Sequence, residues 1–289
     1  MIREYALLGV LAGLWGSSYL FAKVAIAEIP PLTLAASRVT VAALILSLVL
    51  RARGEKLPRE RATWRSLFTQ SLFNSTLAWA ILAWGQQYVD SALAGVLNST
   101  SPIFVVLLAL ALQRREPPRG AQVFGALLGF AGVIVTIGID VLASVGRDVL
   151  AQLAALFSAF LYAVAALHGR RLAHVPPLAT AAGTTLLAAA CLVPASLVLE
   201  HPWTLAPSAR ALGAAAALAF FCTAVALLLY FRLLRTLGPM GVTSQSYLRS
   251  GVSVLLGILV LGERVSPTVG IGLAGIILGV AAINWRPRP

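Results

Sequence analysis

Two arginines stand where a cation is costly. The run from Arg38 to Arg51 holds 12 uncharged residues and that from Arg235 to Arg249 holds 13, so neither Arg38 nor Arg249 can be moved into a loop. Counted from the helix ends at about 1.5 Å per residue, Arg38 lies about 9 Å inside one membrane face and Arg249 near mid-depth. Charge at such depth needs a partner and is a functional-site candidate by default. For Arg249 the choice is between a substrate anion and a structural bond to helix carbonyls. For Arg38, snorkelling or a helix-end contact would suffice, and Lys23 is open in the same way. No acid matches them, because Glu4, Glu28, Asp90, Glu116, Glu200 and Glu263 all fall at helix ends or in loops. A cationic interior without acids suits a substrate with a carboxylate or other anionic group, zwitterions included, better than a cationic drug. It also leaves no buried acidic proton relay.

Aromatic, amide and hydroxyl groups accompany these cations. Trp15, Ser18 and Tyr19 share the first apolar run, Asn74 and Trp79 the third, and Asn98 and Thr100 the fourth; Tyr162, Gln245 and Tyr247 come from the second half. Polar groups inside a helix need hydrogen-bond partners, so any one of them could serve packing alone. The clusters 98–100 and 245–249 stand out because they occupy equivalent positions in two copies of a repeat. With Lys23, Arg38 and Arg249, these residues form the candidate substrate-binding set. Other chemistry finds no support. There is no His-Glu-x-x-His pair, no pair of membrane aspartates and no Ser-His dyad, which argues against an intramembrane enzyme and implies no metal and no cofactor. His168, His174 and His201 lie near helix ends and read as interface residues, and Cys191 and Cys222 lie in apolar runs without metal or disulfide spacing.

The elements that must position these groups are membrane helices. The chain is 59% hydrophobic and 11% charged, with mean hydropathy +0.89, whereas soluble domains carry about 25% charged residues. The alternation of outer-membrane strands is absent. Charge-free runs of about 20 residues, enough to cross roughly 30 Å of hydrocarbon, give ten spans: Glu4–Ala25, Leu32–Leu50, Trp64–Gln87, Ser91–Leu112, Gly120–Ile137, Val149–Gly169, Pro177–Leu199, Ser208–Leu234, Met240–Leu261 and Ser266–Trp285. Arg3 ahead of an apolar run, with Ala25-Ile26-Ala27 behind it, mimics a signal peptide. Retention is expected, because the sixth span is this helix's counterpart. The net charge of +12 is spread between spans rather than over one soluble face, so nucleic acid is not an expected partner.

Much of the segment from Ala92 to Thr136 returns 147 residues later, from Pro239 to Ile283. Leu112, Glu116, Gly125, Gly132 and Val133 fall on Leu259, Glu263, Gly272, Gly279 and Val280, and Pro30-Pro31-Leu32 returns as Pro176-Pro177-Leu178. This is no solenoid period; it is one unit fused to a second copy, residues 1–140 and 147–289. With a cytoplasmic N-terminus, sixteen Lys and Arg fall on that side and only Arg147, Arg210 and Arg264 opposite, with Lys23 near the boundary. Both termini are therefore expected in the cytoplasm. Five spans per copy is an odd number, so the second copy is inverted. The expected fold is an all-α integral membrane protein of ten transmembrane helices in two inverted-topology five-helix repeats, an arrangement characteristic of secondary transporters. Gly125 with Gly129 and Gly275 with Gly279 sit at the spacing that lets helices approach closely, which assigns spans five and ten to scaffold.

In this order, Leu14-Trp15-Gly16-Ser17-Ser18-Tyr19 followed by Lys23, Pro30-Pro31-Leu32 followed by Arg38, and a Leu-x-x-x-Glu turn before a glycine-rich last helix in each copy, the chain resembles the drug/metabolite transporter superfamily, specifically its EamA-type ten-helix members. The resemblance covers nearly the whole chain. It implies a bacterial inner-membrane exporter of metabolites, similar to (aromatic) amino-acid exporters, working by alternating access around a cavity lined by helices one to four and six to nine. The second copy departs from the motif, with Ala163 opposite Ser17 and Gly183 opposite Ser37, so only first-copy residues carry over. The expected partners are a small-molecule substrate and the lipid bilayer, for a protein read as a monomer. A sugar-phosphate or nucleotide-sugar carrier of the same superfamily is the alternative; a non-transporting sensor would need a soluble output domain, for which the connections leave no room.

Overall fold

Why the backbone is helical throughout follows from the solvent: in hydrocarbon every N–H and C=O must be satisfied within the segment. A computed structural model describes residues 2–88, 91–112, 118–137, 148–252 and 267–285, and among them there is no strand. Helix α1 is Ile2–Ile26, α2 Pro31–Ala52, α5 Gly120–Ile137, α6 Val149–Gly169, α7 Pro177–Leu199 and α10 Pro267–Asn284. Helix α3 (residues 61–85) runs as Arg61–Ser71, a π-turn Leu72–Thr76 and Leu77–Gly85, and α4 (91–111) as Ser91–Asn98 and Ser101–Ala111. Helix α8 begins as Ala209–Ala219, passes through a second π-turn, Phe220–Val225, and ends at Gly238, whose φ of 78° breaks the backbone ahead of α9, described over residues 239–252. Six stretches are long and apolar enough to cross a membrane, namely Ile2–Ile26, Pro31–Ala52, Ala94–Ala111, Val149–Leu172, Pro177–Leu199 and Ala209–Thr243; Gly120–Val135 and Gly270–Asn284 are shorter apolar helices. The spans read from sequence differ in detail. The third begins three residues earlier, at Arg61, and the fourth is two pieces, because Pro102 has no N–H to give back to the preceding turn. Residues 253–261 of span nine, Ser266 at the start of span ten, and Glu116, Leu259 and Glu263 of the paired turns lie outside the described residues.

Among the described residues, helices α5 and α10 form the largest pairing. A Cβ on Gly125 would stand 2.6 Å from the Gly279 carbonyl, and one on Gly132 would stand 2.8 Å from that of Gly272. The two helices therefore run antiparallel with their backbones in contact, as the four-residue glycine spacing required. Each of these glycines packs against the other's counterpart 147 residues on. On α4, Ser99 Oγ donates to the carbonyl of Ser246, its own counterpart, at 3.2 Å. The two π-turns overlap under the same shift.

Carboxylates tie helix starts together at the end of the bundle that carries the α1–α2 loop. Glu200, just past α7, accepts from the amides of Leu32 (3.0 Å) and Thr33 (2.6 Å), placing an anion on the unsatisfied N–H groups of α2. Glu28 accepts from the Ser208 amide at 2.6 Å and its hydroxyl at 2.8 Å, and these bonds, the amide's first, hold its carboxyl below the ordinary carboxylate range. At the opposite end Glu4 on α1 pairs with Arg232 on α8 at 2.7 Å.

Candidate functional site

A cavity of about 940 Å³, its mouth included, opens from mid-bundle toward the α1–α2 end. Its wall is built from α1 (Trp15, Ser18, Tyr19), the start of α2 (Arg38), the second half of α3 (Trp79) with Gln86 just past its end, the break in α4 (Asn98, Ser101), Tyr162 of α6, Tyr230 of α8 and the start of α9 (Gln245, Arg249). Nine of the thirteen residues expected from sequence meet here. The other four do not line it. Lys23 is exposed. Thr100 turns its hydroxyl back to the Leu97 carbonyl at 2.6 Å, and Asn74 is buried further along α3. Tyr247 is fully buried, with its hydroxyl donating to the Ala126 carbonyl at 2.8 Å and its ring against Gly129 of α5. The reason is helical phase: Gln245 and Arg249 are one turn apart and share a face, while the residue two positions on from Gln245 points to the other side.

Both intramembrane arginines enter the same cavity. Arg249 donates Nη2 to Asn98 Oδ1 at 2.6 Å and lies 5.1 Å from the centroid of the Tyr19 ring. Asn98 is held in turn by its Nδ2, 3.4 Å from Ser158 Oγ, whose hydroxyl donates to the Ala78 carbonyl. The cluster equivalence seen in the repeat thus becomes a contact between α4 and α9. Arg38 lies 4.0 Å over the Trp79 ring, donates Nε to Thr223 Oγ1 at 3.0 Å, and reaches the Cys222 carbonyl at 3.5 Å. That carbonyl also takes the Trp15 indole N–H at 3.0 Å. It is available because the π-turn of α8 shifts the hydrogen-bond register locally, a common feature of functional sites. Face-on guanidinium–aromatic contacts of this kind contribute about 0.5–2 kcal/mol each. Trp15 and Tyr230, with ring centroids 5.5 Å apart, close the inner end.

Among the described residues, no Asp, Glu or His lines the cavity. Among the described residues, Tyr19 Oη, Ser101 Oγ and Gln245 Oε1 of the wall are buried without a hydrogen-bond partner. Buried groups left so are costly unless something else satisfies them. The cavity can therefore hold an anionic group at the guanidinium positions, a donor at the Gln245 oxygen and an apolar body against the rings. Among the described residues no cluster of His, Cys, Asp or Glu could bind a metal. The candidate set omitted Gln86, Ser101 and Tyr230. Ser101 was within reach of sequence reasoning, being three residues after Asn98 on the same helical face. The Cys222 carbonyl was not, because nothing in the apolar run 220–225 marks a π-turn.

Known proteins bear on this arrangement. A solved crystal structure superposes on the chain with a TM-score of 0.78, 26% identity and coverage of 96% of both chains. The chain is 26% identical over 271 residues to a protein of Escherichia coli strain K12 described as the uncharacterized inner membrane transporter YedA, covering 94% of this chain and 87% of that one. It is 32% identical over 133 residues to the uncharacterized transporter YvbV of Bacillus subtilis strain 168, covering 46% and 43% of the two chains. The model of the EamA-like transporter family matches residues 3–138 and again residues 149–285. A helical bundle with apolar spans, a polar central cavity and two matches to one family in succession lead to a single conclusion: this is a membrane protein that belongs to the EamA-like transporter family.

Proposed function

We propose that the protein is a secondary transporter that exports amino acids or related small carboxylate-bearing metabolites across a bacterial inner membrane. It does so by alternating access around the Arg38–Arg249 cavity. The observation that carries this reading is the pair of guanidinium groups in one cavity that has aromatic walls and, among the described residues, no carboxylate. Arg249 takes the substrate carboxylate; Gln245 Oε1, an acceptor without a partner one turn earlier on α9, takes the ammonium; Trp15, Tyr19, Tyr162 and Trp79 enclose the side chain. The reciprocal glycine contacts of α5 with α10, and the bond of Ser99 to its own counterpart, support ten crossings in two inverted repeats, residues 1–140 and 147–289. Such a pair can exchange conformations about an in-plane pseudo-two-fold. The test is counterflow of tritiated L-phenylalanine, L-threonine and a panel of other amino acids in proteoliposomes; the absence of exchange for every member would overturn the reading. A sugar-phosphate or nucleotide-sugar carrier is the second reading, favoured by the entry of two cations rather than one. Against it stand the contacts of Arg38 with Thr223, Cys222 and Trp79, which commit that guanidinium to the wall. Neutralising Arg38 discriminates the two, because only a multiply charged substrate needs it as much as Arg249.

Both termini are expected in the cytoplasm on the same reading, since the six basic residues from Arg51 to Arg65 favour retention there. Labelling of a cysteine at Lys56 by a membrane-impermeant reagent in intact cells would overturn that orientation.

A further inference from the structure

Beyond the Trp15–Tyr230 floor, α3 carries a second set of polar groups that the cavity does not use. Gln70, Ser71, Asn74, Ser75 and Thr76 are all buried. Ser71 is accounted for by the Thr184 carbonyl at 2.7 Å. The two amides are not: both amide atoms of Gln70 and Oδ1 of Asn74 have no hydrogen-bond partner, and Asn74 reaches only Ser75 Oγ, at 3.4 Å. Along α3, Asn74 lies about 7.5 Å and Gln70 about 13.5 Å past Trp79, at 1.5 Å per residue, away from the cavity mouth. Gln70 packs on Gly169 of α6, seven residues beyond the cavity residue Tyr162, and its amide lies beside the Tyr230 hydroxyl without a well-formed bond. The fold itself does not require these amides. Their counterparts 147 residues on are Ala217 and Phe221, and α8 makes its π-turn with those apolar residues in place.

We propose that Gln70 and Asn74 form a second station for the substrate head group, on the far side of the aromatic floor, occupied when the α1–α2 mouth is shut. The inference rests on the transport reading above. Amides supply N–H donors for a carboxylate and carbonyl oxygens for an ammonium without net charge. The same zwitterionic head group is therefore held more weakly here than against the Arg249 guanidinium, which favours movement through the pathway over trapping. Orphaned polar atoms in an apolar bundle are then the cost of a pathway that becomes wet in turn.

Two measurements decide it. In a Cys191→Ala, Cys222→Ala background, Asn74→Cys is treated with the impermeant anionic thiol reagent MTSES from each membrane face. The expected result is modification from the face that modifies Lys56→Cys and protection from the face that modifies Trp203→Cys; modification from the latter face, or from neither, overturns the proposal. This arm needs no transported substrate, so failure of phenylalanine exchange by the wild type overturns the amino-acid reading separately. The second measurement is Gln70→Leu/Asn74→Leu in full-length protein. Its tritiated phenylalanine exchange is expected to fall about tenfold with the equilibrium Kd changed less than about twofold, and its Tm to rise, because buried unpaired groups are removed. A lower Tm, or exchange at the wild-type rate, shows that the amides only pack.

Discussion

Replacing Arg249 separates a binding role from a packing role. In Arg249→Met the substrate carboxylate enters a site with its charge partner gone, while the rings and the Gln245 oxygen remain. Leaving a buried charge unpaired costs about 2–5 kcal/mol, and at about 1.4 kcal/mol per decade this weakens binding by roughly 30-fold to several thousandfold. On the folding side the variant loses the 2.6 Å bond to Asn98. Hydrogen bonds to charged groups contribute about 1.5–3 kcal/mol, but removing a 6%-exposed guanidinium also removes its desolvation penalty. Asn98 keeps its contact with Ser158. The two folding effects largely offset, so Arg249→Met is expected to reach the membrane in normal amount, monodisperse, and close to inactive. Arg249→Lys keeps a charge without the planar fork and should be intermediate. The assay is exchange and Kd of tritiated phenylalanine per folded molecule, with folded protein counted by size-exclusion chromatography. If Arg249→Met folds poorly while the molecules that do fold transport normally, Arg249 is a structural residue and the proposed site is wrong.

Arg38→Lys should cost less than Arg249→Lys in phenylalanine affinity while lowering Tm, since the 4.0 Å stack on Trp79 and the bonds to Thr223 and Cys222 are mostly structural; equal losses of affinity would favour the sugar-phosphate reading. Gly279→Leu should abolish folded protein, measured as monodisperse yield, because even its Cβ would lie 2.5 Å from the Gly129 amide nitrogen, a backbone atom that cannot step aside. Exchange should be nearly insensitive to an imposed pH gradient, since among the described residues no carboxylate or histidine lines the cavity; strong stimulation would refute this and make His168 the first residue to replace. Glu28, with its folded pKa lowered by Ser208, stabilises above its unfolded value of about 4.3 and loses that contribution as pH falls through the lower folded value. Between pH 7 and pH 3 the Tm of Glu28→Gln should therefore fall less than that of the wild type.

Much of this protein was legible from one dimension because the bilayer restricts the choices. Once an apolar run is long enough and free of charge, helix is the only backbone that satisfies its own polar groups, so the spans follow from the positions of Arg, Lys, Asp and Glu. The duplication was readable because Gly125, Gly132 and their counterparts keep the register wherever backbones must touch. That Arg249 is buried followed from its long uncharged flank, and its contact with Asn98 from the equivalence of two clusters. Side-chain direction was another matter. Tyr247 and Arg249 are two residues apart, yet only the phase of α9 and the cleft beside Gly129 decide that one ring packs on α5 while the guanidinium faces the cavity. Lys23 and Arg38 looked alike as cations near a helix end; one is in the open, and the other is drawn inward by an indole and by the Cys222 carbonyl. That carbonyl is available only through a π-turn, a shift of hydrogen-bond register that side-chain types do not encode locally, since α3 and α8 make the same turn from unlike residues. Composition and spacing determined that charge is buried and roughly where; packing between distant helices decided which charge faces the pathway.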